Sequence, residues 1–291
     1  MTQVEMYKMP KVSVLMPIYK TKAAYLRVAI ESILNQTYED FEFLILDDCP
    51  DDTRENIVKE YQDSRIKYYK NEQNLGITGS RNKLLDMAKG EYLAVMDHDD
   101  VSLPKRFEKE VAILDAYHEI GVVGTGIHKI VAYKDIFQPE HDADIKSGLM
   151  MKCVVTHPSA MIRKSVLSAN NIRYESQYSP AEDYKLWCRL IDKTNFYNIP
   201  EVLLNYRDWA HNTTNSSEGK MDRVTLLIWA ENEVHNPELW KKFNLIQAKH
   251  ISTIRLFNCI PFLKIIKQGR RERVLLFDCI PLFSIKGSVK V

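Results

Sequence analysis

The sequence predicts an α/β fold: a three-layer α/β/α sandwich with a mostly parallel central sheet, followed by a helical, basic C-terminal extension. Over the first 125 residues, short apolar runs alternate with segments of helical periodicity, an order typical of parallel strands joined by right-handed helical crossovers. Two of the apolar runs end in carboxylate clusters, at 47–48 and 97–100. Residues 241–291, in contrast, carry eleven Lys or Arg against two acids.

The N-terminal half is predicted to alternate strand and helix. An apolar run at 12–16, stopped by Pro17, predicts the first strand, and apolar positions at helical spacing over 22–35 predict the first helix. An acidic start favours a helix at 52–61, because helix N-termini prefer negative charge. The remaining elements are strands at 42–47, 66–69, 91–96 and 120–124 and helices at 78–88 and 104–118.

The alternation becomes irregular after about residue 130, where periodicity is the main remaining signal. Polar composition marks the loop in this region, as Asn, Ser and Thr clusters usually do. The candidate elements are helices at 183–193, 220–235 and 238–257, edge strands at 196–199 and 202–206, and a loop at 212–217.

The composition is ordinary for one large globular domain with an appendage. The chain has 291 residues, of which 45% are apolar and 27% are charged, and this length buries a substantial core. No apolar stretch approaches the roughly 18–20 residues that span a bilayer, and the N-terminus lacks the apolar run of a signal peptide. The five cysteines are widely spaced without a Cys-x-x-Cys pair. We therefore expect free thiols in a cytoplasmic protein.

The two carboxylate clusters predict where a ligand binds. Each follows a short apolar run, at 43–46 and 92–96. Such runs are typical of buried parallel strands, whose carboxyl ends open onto a ligand crevice. Several carboxylates at one sheet edge repel one another unless a cation compensates them. The clusters therefore indicate a metal-assisted site for a phosphorylated ligand.

The C-terminal extension contains an internal repeat. The sequence at 256–263 recurs, with few changes, at 276–283. Each copy is an apolar patch flanked by Lys or Arg, which suits the surface of an anionic membrane. The alternative is a packed C-terminal cap with a duplicated turn. A nucleic-acid role is disfavoured, because no aromatic stacking platform accompanies the basic residues.

Six segments in chain order carry a resemblance to a known family. They lie at 12–19, 29–37, 46–48, 71–82, 90–104 and 182–187. In this order they resemble the opening strand, the first helix, the first acidic pair, the Asn-x-Gly…Arg-Asn loop, the Asp-x-Asp strand and the Glu-Asp motif of family 2 glycosyltransferases. A lone Asp-x-Asp is weak evidence, whereas six motifs in the family's order are a strong match.

The resemblance implies a domain organisation. Residues 10–215 would form a GT-A catalytic domain, with a nucleotide-binding half at 10–125 and an acceptor-binding half at 126–215. Residues 216–291 would form a helical and basic extension that associates with a membrane.

The resemblance also implies a site for a UDP-sugar donor. Asp48 would accept the uracil N–H, Tyr19 would lie against the ring, and Asp97 would face the ribose. Asp99 or Asp100 would bind Mg²⁺ or Mn²⁺, cations that prefer oxygen ligands and neutralise a diphosphate. The implied donor site is completed by Pro17, Asn74, Gly76, Arg81 and His98. The structural alternatives are helix caps for Asp48 and Asp100, core packing for Tyr19, a turn for Gly76 and a surface salt bridge for Arg81.

By the same resemblance, Asp183 is the catalytic base, because displacement at the anomeric carbon needs a proton acceptor for the incoming hydroxyl. Burial beside other carboxylates would have to raise its ordinary pKa of about 3.9. His157 and Glu182 are implied to contact the acceptor. His211 is implied to contact the metal, although two extra residues separate it from Arg207. The alternatives are a helix N-cap for Asp183, a satisfied buried histidine for His157 and a surface histidine for His211.

Together these residues predict an inverting, non-processive glycosyltransferase. It would add one hexose or N-acetylhexosamine to a surface-glycan acceptor, such as lipooligosaccharide, capsule or a lipid-linked oligosaccharide. The chain lacks the Gln-x-x-Arg-Trp motif of processive members. We expect the basic extension to hold the enzyme peripherally at the inner face of the cytoplasmic membrane.

Two other functions are weaker alternatives. A sugar nucleotidyltransferase would need a Gly-rich, Arg-containing loop after the first strand, and residues 17–20 do not form one. A catalytically inactive, nucleotide-sugar-binding subunit would not need the intact acidic motifs. The sequence carries no signal for oligomeric state.

Overall fold

The structure is a computed structural model that describes residues 9–208, 218–247, 251–256, 260–268, 271–276 and 280–286. The chain divides into two compact units, Met1–Val224 and Thr225–Val291. The domain boundary placed at 215/216 from the sequence stays a prediction.

The first unit alternates strands and helices, as the sequence predicts for its N-terminal half. Its strands are β1 (Val12–Ile18), β2 (Phe41–Asp47), β3 (Ile66–Lys70), β4 (Tyr92–Val95), β5 (Val101–Ser102), β6 (Ile120–Lys129), β7 (Lys134–Ile136), β8 (Met161–Arg163) and β9 (Asn195–Tyr206). Its helices are α1 (Ala23–Leu34), α2 (Glu55–Val58), α3 (Gly76–Met87), α4 (Arg106–Ala116), α5 (Asp142–Leu149), α6 (Lys164–Ala169) and α7 (Glu182–Leu190).

These strands form one sheet in the order β3-β2-β1-β4-β8-β6-β9-β5, with β7 paired to β6. Strands β3, β2, β1 and β4 are parallel to one another. Beyond β4 the sheet is mixed, because β8 is antiparallel to both β4 and β6, while β6 and β9 pair in parallel. The parallel sheet predicted from the sequence therefore lies in the N-terminal half.

The inner strands of the parallel half, β1, β2 and β4, are buried on both faces, whereas the edge strand β3 is partly exposed. All seven residues of β1 and all seven of β2 are buried. Helix α1 packs Leu26, Ile30 and Ile33 into the same core. Before β4, a Cβ on Gly90 would lie 2.5 Å from the backbone nitrogen of Ser13, so a larger residue would push the strands apart. The carboxyl ends of β1, β2 and β4 consequently share one edge, where both acidic clusters lie.

A buried arginine fixes the point where the two halves of the sheet meet. Arg106 is fully buried, and its guanidinium donates to the carbonyl of Val95 at 2.9 Å and to that of Ala160 at 3.2 Å. Glu110, also fully buried, accepts from Arg106 Nε at 3.2 Å. These bonds hold the end of β4, from which the second acidic cluster leaves, against the start of β8.

The C-terminal part begins with α8 (Glu218–His235) and α9 (Pro237–Gln247). Four strands follow: β10 (Ile251–Leu256), β11 (Ile260–Gln268), β12 (Arg271–Leu276) and β13 (Ile280–Lys286). They form an antiparallel sheet in chain order. None of the helices in the described ranges is both long and apolar enough to cross a membrane.

The expectation of a helical extension is therefore only partly correct. The helix at 220–235 is found, but the one expected at 238–257 ends at Gln247, and the described residues from Ile251 onward form strands. β-branched residues at the start of β10 favour a strand, which outweighs the helical spacing read from the sequence. Each copy of the internal repeat includes the end of one strand and the start of its antiparallel partner, β10 with β11 and β12 with β13.

Candidate active site

A cavity of about 590 Å³ lies at the carboxyl edge of the parallel strands. Residues from the end of β1, α3, the turn after β4, the short 3-10 helix His157–Ser159 and the start of α7 line it. Of the predicted site residues, this cavity brings together Pro17, Arg81, Asp97, His98, Asp99, Asp100, His157, Glu182 and Asp183. Tyr19 and Asn74 line a second pocket. His211 lies outside the described residues.

The loop after β2 is organised by its own acidic pair. Asp47 is fully buried and accepts from the amides of Cys49 at 3.1 Å and Arg54 at 2.6 Å and from the Tyr68 hydroxyl at 3.0 Å. Asp47 thus shapes the turn that presents Asp48, rather than reaching a ligand itself.

Asp48 connects that turn to the start of α3. One of its carboxylate oxygens accepts from Asn71 Nδ2 at 2.7 Å and from the Leu75 amide at 2.8 Å. Leu75 is the residue before α3, and Gly76 follows it with φ +69°, a conformation that suits glycine. Asp48 thus bonds the amide of the residue that precedes α3 without being the N-cap residue of a helix, and its contact with uracil stays a prediction.

The second pocket contains the candidates for contact with a base. The Tyr19 side chain lines this pocket and is 46% exposed, and Asn74 lines it from a different segment of the chain. The Asn74 side chain accepts from the Gly76 amide at 2.8 Å, which fixes the loop locally. An exposed aromatic ring on an ordered loop can stack on a planar ligand.

The turn after β4 combines one buried and two accessible carboxylates. Asp100 is 1% exposed, and its Oδ1 accepts from the Arg207 amide at 2.8 Å. Burial, with the charges of Asp97 and Asp99 nearby, raises the pKa of Asp100 well above its ordinary value. Arg207 Nε donates to the Asp99 carbonyl at 2.8 Å. Asp100 thus ties the turn to the end of β9, and Asp99 is the better placed of the two for a metal.

Arg81 bridges the two sides of the cavity. Its guanidinium lies 2.7 Å from Glu182 Oε1 and 3.5 Å from Asp97 Oδ1, and its Cζ lies 5.6 Å from the ring centroid of Tyr174. Burial by itself lowers the pKa of Arg81, but the negative charges of Asp97 and Glu182 have a larger, opposite effect, so the pKa of Arg81 is raised. The salt bridge suggested as an alternative for Arg81 is present, but it is buried inside the cavity wall and joins α3 to α7.

Asp183 lies in the first turn of α7 and lines the cavity. One of its carboxylate oxygens accepts a hydrogen bond from the Tyr184 amide at 2.7 Å. The N-cap residue of α7 is Ala181, so the alternative of Asp183 as the N-cap is wrong. Burial raises the pKa of Asp183 to about 6, the negative charge of Glu182 adds to the effect, and Arg81 opposes it. A carboxylate with this pKa is a stronger proton acceptor than an ordinary aspartate while remaining largely ionised at neutral pH.

His157 is buried and uncharged at the same cavity. Its Nε2 lies 2.9 Å from the Tyr174 hydroxyl, while Nδ1 has no hydrogen-bond partner among the described residues. Burial lowers the pKa of His157 well below its ordinary value, and the charges of Arg81 and Arg106 add to this. The histidine is therefore neutral near pH 7. Only one of its two ring nitrogens has a hydrogen-bond partner among the described residues, so the other, Nδ1, is left for a ligand hydroxyl.

Sequence reasoning missed several residues of the site, among them Tyr174, Cys153 and Lys129. Tyr174 supports both Arg81 and His157, Cys153 lines the cavity, and Lys129 reaches it from β6. Each lies in the irregular half, at a position that only long-range packing brings to the site. Their sequence surroundings contain no motif that would have identified them.

The carboxylates of the site could hold a divalent metal ion only together with oxygens of a bound substrate or of water. Within the described ranges, no group of three or more His, Cys, Asp or Glu side chains is close enough to hold a metal ion. Mg²⁺ and its relatives are commonly bound by one or two carboxylates plus substrate phosphates and waters. Asp97 and Asp99 at the cavity match that donor set.

Comparison with known proteins gives a family match. The model of glycosyl transferase family 2 matches residues 13–170. An uncharacterized glycosyltransferase of Methanocaldococcus jannaschii is 38% identical over 207 residues, which cover 68% of this chain and 71% of that protein. The O-antigen biosynthesis glycosyltransferase WbnJ of Escherichia coli is 34% identical over 209 residues, which cover 67% of this chain and 79% of that protein.

Solved structures match in fold. TarS of S. aureus in complex with UDP-GlcNAc superposes with a TM-score of 0.67 at 20% identity, covering 80% of this chain and 71% of that chain. The mannosyltransferase PcManGT of Pyrobaculum calidifontis, in complex with GDP-Man and Mn²⁺, superposes with a TM-score of 0.59 at 14% identity, covering 84% of this chain and 75% of that chain. The mixed sheet described above is therefore a GT-A fold, as the sequence predicts.

Proposed function

Because the chain belongs to glycosyltransferase family 2 and is a sugar-transferring enzyme, we propose that it moves one hexose or N-acetylhexosamine from a UDP-sugar to a hydroxyl of a surface-glycan acceptor. The observation that carries this proposal is Asp183. It lies in one cavity with the Asp97–Asp99 turn, and burial raises its pKa to about 6. A general base at this position removes the proton of the attacking hydroxyl while the diphosphate leaves from the other side.

The donor is assigned to the edge of the parallel half. Tyr19 would stack on the base and Asp48 would accept its ring N–H, with the diphosphate lying toward Asp97 and Asp99. The complex of TarS with UDP-GlcNAc supports a uridine nucleotide as donor. Mn²⁺ or Mg²⁺, when bound by Asp99 and the phosphates, would supply Lewis-acid stabilisation of the leaving group. The Mn²⁺ in the PcManGT complex supports a divalent metal.

The acceptor is assigned to the irregular half. His157 and Glu182 are buried at the cavity, and each has one polar atom without a partner among the described residues, Nδ1 and Oε2. A sugar hydroxyl both donates and accepts, so it can satisfy these two atoms together. The likeness to an O-antigen glycosyltransferase supports a surface glycan.

Single displacement inverts the configuration of the anomeric carbon, and this outcome can be measured without knowing the acceptor. Without an acceptor, the enzyme should hydrolyse a UDP-sugar slowly, with water as the nucleophile in place of the acceptor hydroxyl. Proton NMR of the first sugar released, recorded before mutarotation, should show the β-anomer from an α-linked donor. Release of the α-anomer would contradict a single displacement by an Asp183-activated nucleophile.

The C-terminal extension is proposed to hold the enzyme at the inner face of the cytoplasmic membrane. Eleven basic residues over 241–291, with only two acids, favour an anionic lipid surface. A chain ending at Asn236 should lose the binding to anionic liposomes that the full chain has in a sedimentation assay. Equal sedimentation of the two chains would contradict this role.

A further inference from the structure

A buried tyrosine of the irregular half connects the two sides of the catalytic cavity. Tyr174 is 4% exposed, and its hydroxyl lies 2.9 Å from Nε2 of His157. The two rings meet edge to face, with their centroids 5.7 Å apart. The Tyr174 ring also lies 5.6 Å from Cζ of Arg81. Tyr174 therefore contacts one residue assigned to the acceptor and one assigned to the donor.

Helix α3 holds the backbone of Tyr174 in place. Asn82 Nδ2 donates to the Tyr174 carbonyl at 2.9 Å, and the Tyr174 amide donates to Asn82 Oδ1 at 3.0 Å. The preceding residue, Arg173, pairs with Asp86 at 2.7 Å and donates to the Asn82 carbonyl at 2.9 Å. This stretch of chain is neither helix nor strand. Its bonds to α3 therefore fix where the tyrosine hydroxyl lies.

The hydrogen bond between Tyr174 and His157 has a preferred direction. Burial lowers the pKa of His157, so its ring is neutral, with one donor and one acceptor nitrogen. Burial raises the pKa of the Tyr174 hydroxyl, which therefore keeps its proton. Among the described residues, this hydroxyl has no hydrogen-bond partner other than His157 Nε2. If Nε2 carried the ring proton, the hydroxyl proton would be buried without an acceptor, which costs free energy. The hydroxyl is therefore the donor and Nε2 the acceptor.

The direction of this bond decides what the cavity offers to a ligand. When Nε2 accepts from the tyrosine, the ring proton lies on Nδ1, which then becomes a donor. Glu182 Oε2 is an acceptor, because the Glu182 carboxylate pairs with Arg81 through Oε1 at 2.7 Å. Both atoms are buried without a partner among the described residues, and both side chains line the cavity. One donor and one acceptor are the complement of a single hydroxyl group.

We propose that Tyr174 is a positioning residue of the acceptor site: it holds His157 in the Nδ1–H tautomer, so that His157 donates to, and Glu182 accepts from, one hydroxyl of the acceptor sugar. The inference rests on the proposed function and adds the orientation of the recognised hydroxyl, which that function leaves open. Because the proton of this hydroxyl faces Glu182 rather than Asp183, it is a hydroxyl other than the one that attacks. A sugar that lacks it leaves both buried atoms unpaired and is rejected.

The first test is the tautomer of His157, measured on the full chain without ligand by nitrogen-15 NMR of labelled histidine rings. Correlations from the carbon-bound ring protons distinguish a protonated from an unprotonated nitrogen. The signals that disappear in His157→Gln identify His157 among the eight histidines. The test variant is Tyr174→Phe, which removes the hydroxyl and keeps the ring.

The matched control is Tyr184→Phe. Tyr184 is 3% exposed, and its hydroxyl donates to the Leu149 carbonyl at 2.8 Å. It is thus a tyrosine as buried as Tyr174, with a hydroxyl that bonds the backbone instead of His157. Both variants should lose similar stability in urea denaturation, because each removes one buried hydrogen bond.

Wild type and Tyr184→Phe should show His157 with its proton on Nδ1 at pH 7. Tyr174→Phe should show the proton on Nε2, or a mixture of the two tautomers, because Nε2 has lost its donor. A proton on Nε2 in wild type would overturn the proposal, as would an unchanged tautomer in Tyr174→Phe.

The second test separates acceptor binding from donor binding, using transfer from UDP-sugars to p-nitrophenyl glycosides and calorimetry of UDP with Mn²⁺. Tyr174→Phe should raise the acceptor KM about 2–10-fold, the effect of one hydrogen bond, and leave UDP affinity unchanged. Tyr184→Phe should match wild type in both measurements. An unchanged acceptor KM, or an equal loss of UDP affinity, would overturn the positioning role of Tyr174. If wild type neither binds UDP nor turns over a UDP-sugar, the proposed function fails, whereas the NMR result still decides the tautomer.

Discussion

The loop after β2 and the cavity beside it differ in how their buried polar groups are satisfied. In the loop, Asp47, Asp48 and Asn71 all bond protein atoms. Along the cavity, five buried polar atoms have no partner among the described residues: Arg81 Nε, His98 Nδ1, Asp100 Oδ2, His157 Nδ1 and Glu182 Oε2.

Buried polar atoms without partners are rare in proteins because each one costs free energy. We infer that the loop is held in shape by its own hydrogen bonds, whereas the cavity presents unsatisfied polar atoms to a ligand. Substitutions in the cavity should impair turnover more than folding, and substitutions in the loop should do the reverse.

The largest expected effect is on turnover. Asp183→Asn preserves the shape of the side chain but removes the base, so kcat should fall by about 10²–10⁴-fold. The assay is UDP release from a UDP-sugar. The matched control is Asp192→Asn, because Asp192 lies just beyond α7 and pairs with Lys193 at the surface. If the kcat of Asp183→Asn were within threefold of the kcat of Asp192→Asn, Asp183 would not be the catalytic base.

The next effect is on folding. Asp47→Ala leaves two amides and the Tyr68 hydroxyl without their acceptor; the Cys49 bond is buried and the Arg54 and Tyr68 bonds are partly buried. A fully buried donor left unsatisfied costs about 1–3 kcal/mol and a partly exposed one costs less, so the free energy of unfolding should fall by roughly 2–5 kcal/mol. Urea denaturation followed by circular dichroism measures it. If Asp183→Asn destabilises the protein as much as Asp47→Ala, the division between loop and cavity is wrong.

A smaller effect is expected on nucleotide binding. Tyr19→Ala removes an exposed ring from the second pocket, and stacking on a base contributes about 1–3 kcal/mol. UDP affinity should therefore fall about 5–150-fold, with little change in stability. Tyr69→Ala on β3 is the control, because Tyr69 is similarly exposed (42% against 46%). Equal losses in the two variants would mean that Tyr19 does not stack on the base.

The smallest effect concerns the pH dependence of stability. The pKa of Asp183 is raised from 3.8 to about 6 in the folded protein. The folded state thus favours the protonated carboxyl, and the stability contributed by this group, full below pH 3.8, is lost as the pH rises through 6. Asp183→Asn stays neutral, so it should be more stable than wild type at pH 8. The full shift corresponds to about 3 kcal/mol, and because Asp183 is partly exposed, solvent screening reduces the expected gain to about 1–2 kcal/mol.

The control for this prediction is the same pair of proteins at pH 4, where their stabilities should be similar. Thermal unfolding at both pH values measures the difference. A variant no more stable than wild type at pH 8 would show that Asp183 is not held in an environment that disfavours its charge.

Sequence reasoning anticipated the parallel half well because its signals are local. The apolar runs of β1, β2 and β4 and the acids that follow them are contiguous in the chain. Six of the nine predicted site residues that line the cavity come from this half: Pro17, Arg81, Asp97, His98, Asp99 and Asp100.

The irregular half depends on contacts distant in sequence, and these were not predicted. Tyr174 reaches His157 and Arg81, and Arg106 reaches Ala160, without any periodic pattern. The β6–β7 hairpin is set by pairing register rather than by a turn motif. The strands beyond Ile251 likewise form by pairing with one another, which a helical spacing rule does not detect.

The central claim is that the Asp97–Asp99 turn binds the donor through a metal while Asp183 acts on the acceptor. The most direct test is calorimetric titration of UDP, with and without Mn²⁺, into wild type, Asp99→Ala and Asp183→Asn. We expect Mn²⁺-dependent binding to wild type and to Asp183→Asn, and loss of that dependence in Asp99→Ala. Binding to Asp99→Ala that equals wild type, or loss of UDP binding in Asp183→Asn, would contradict it.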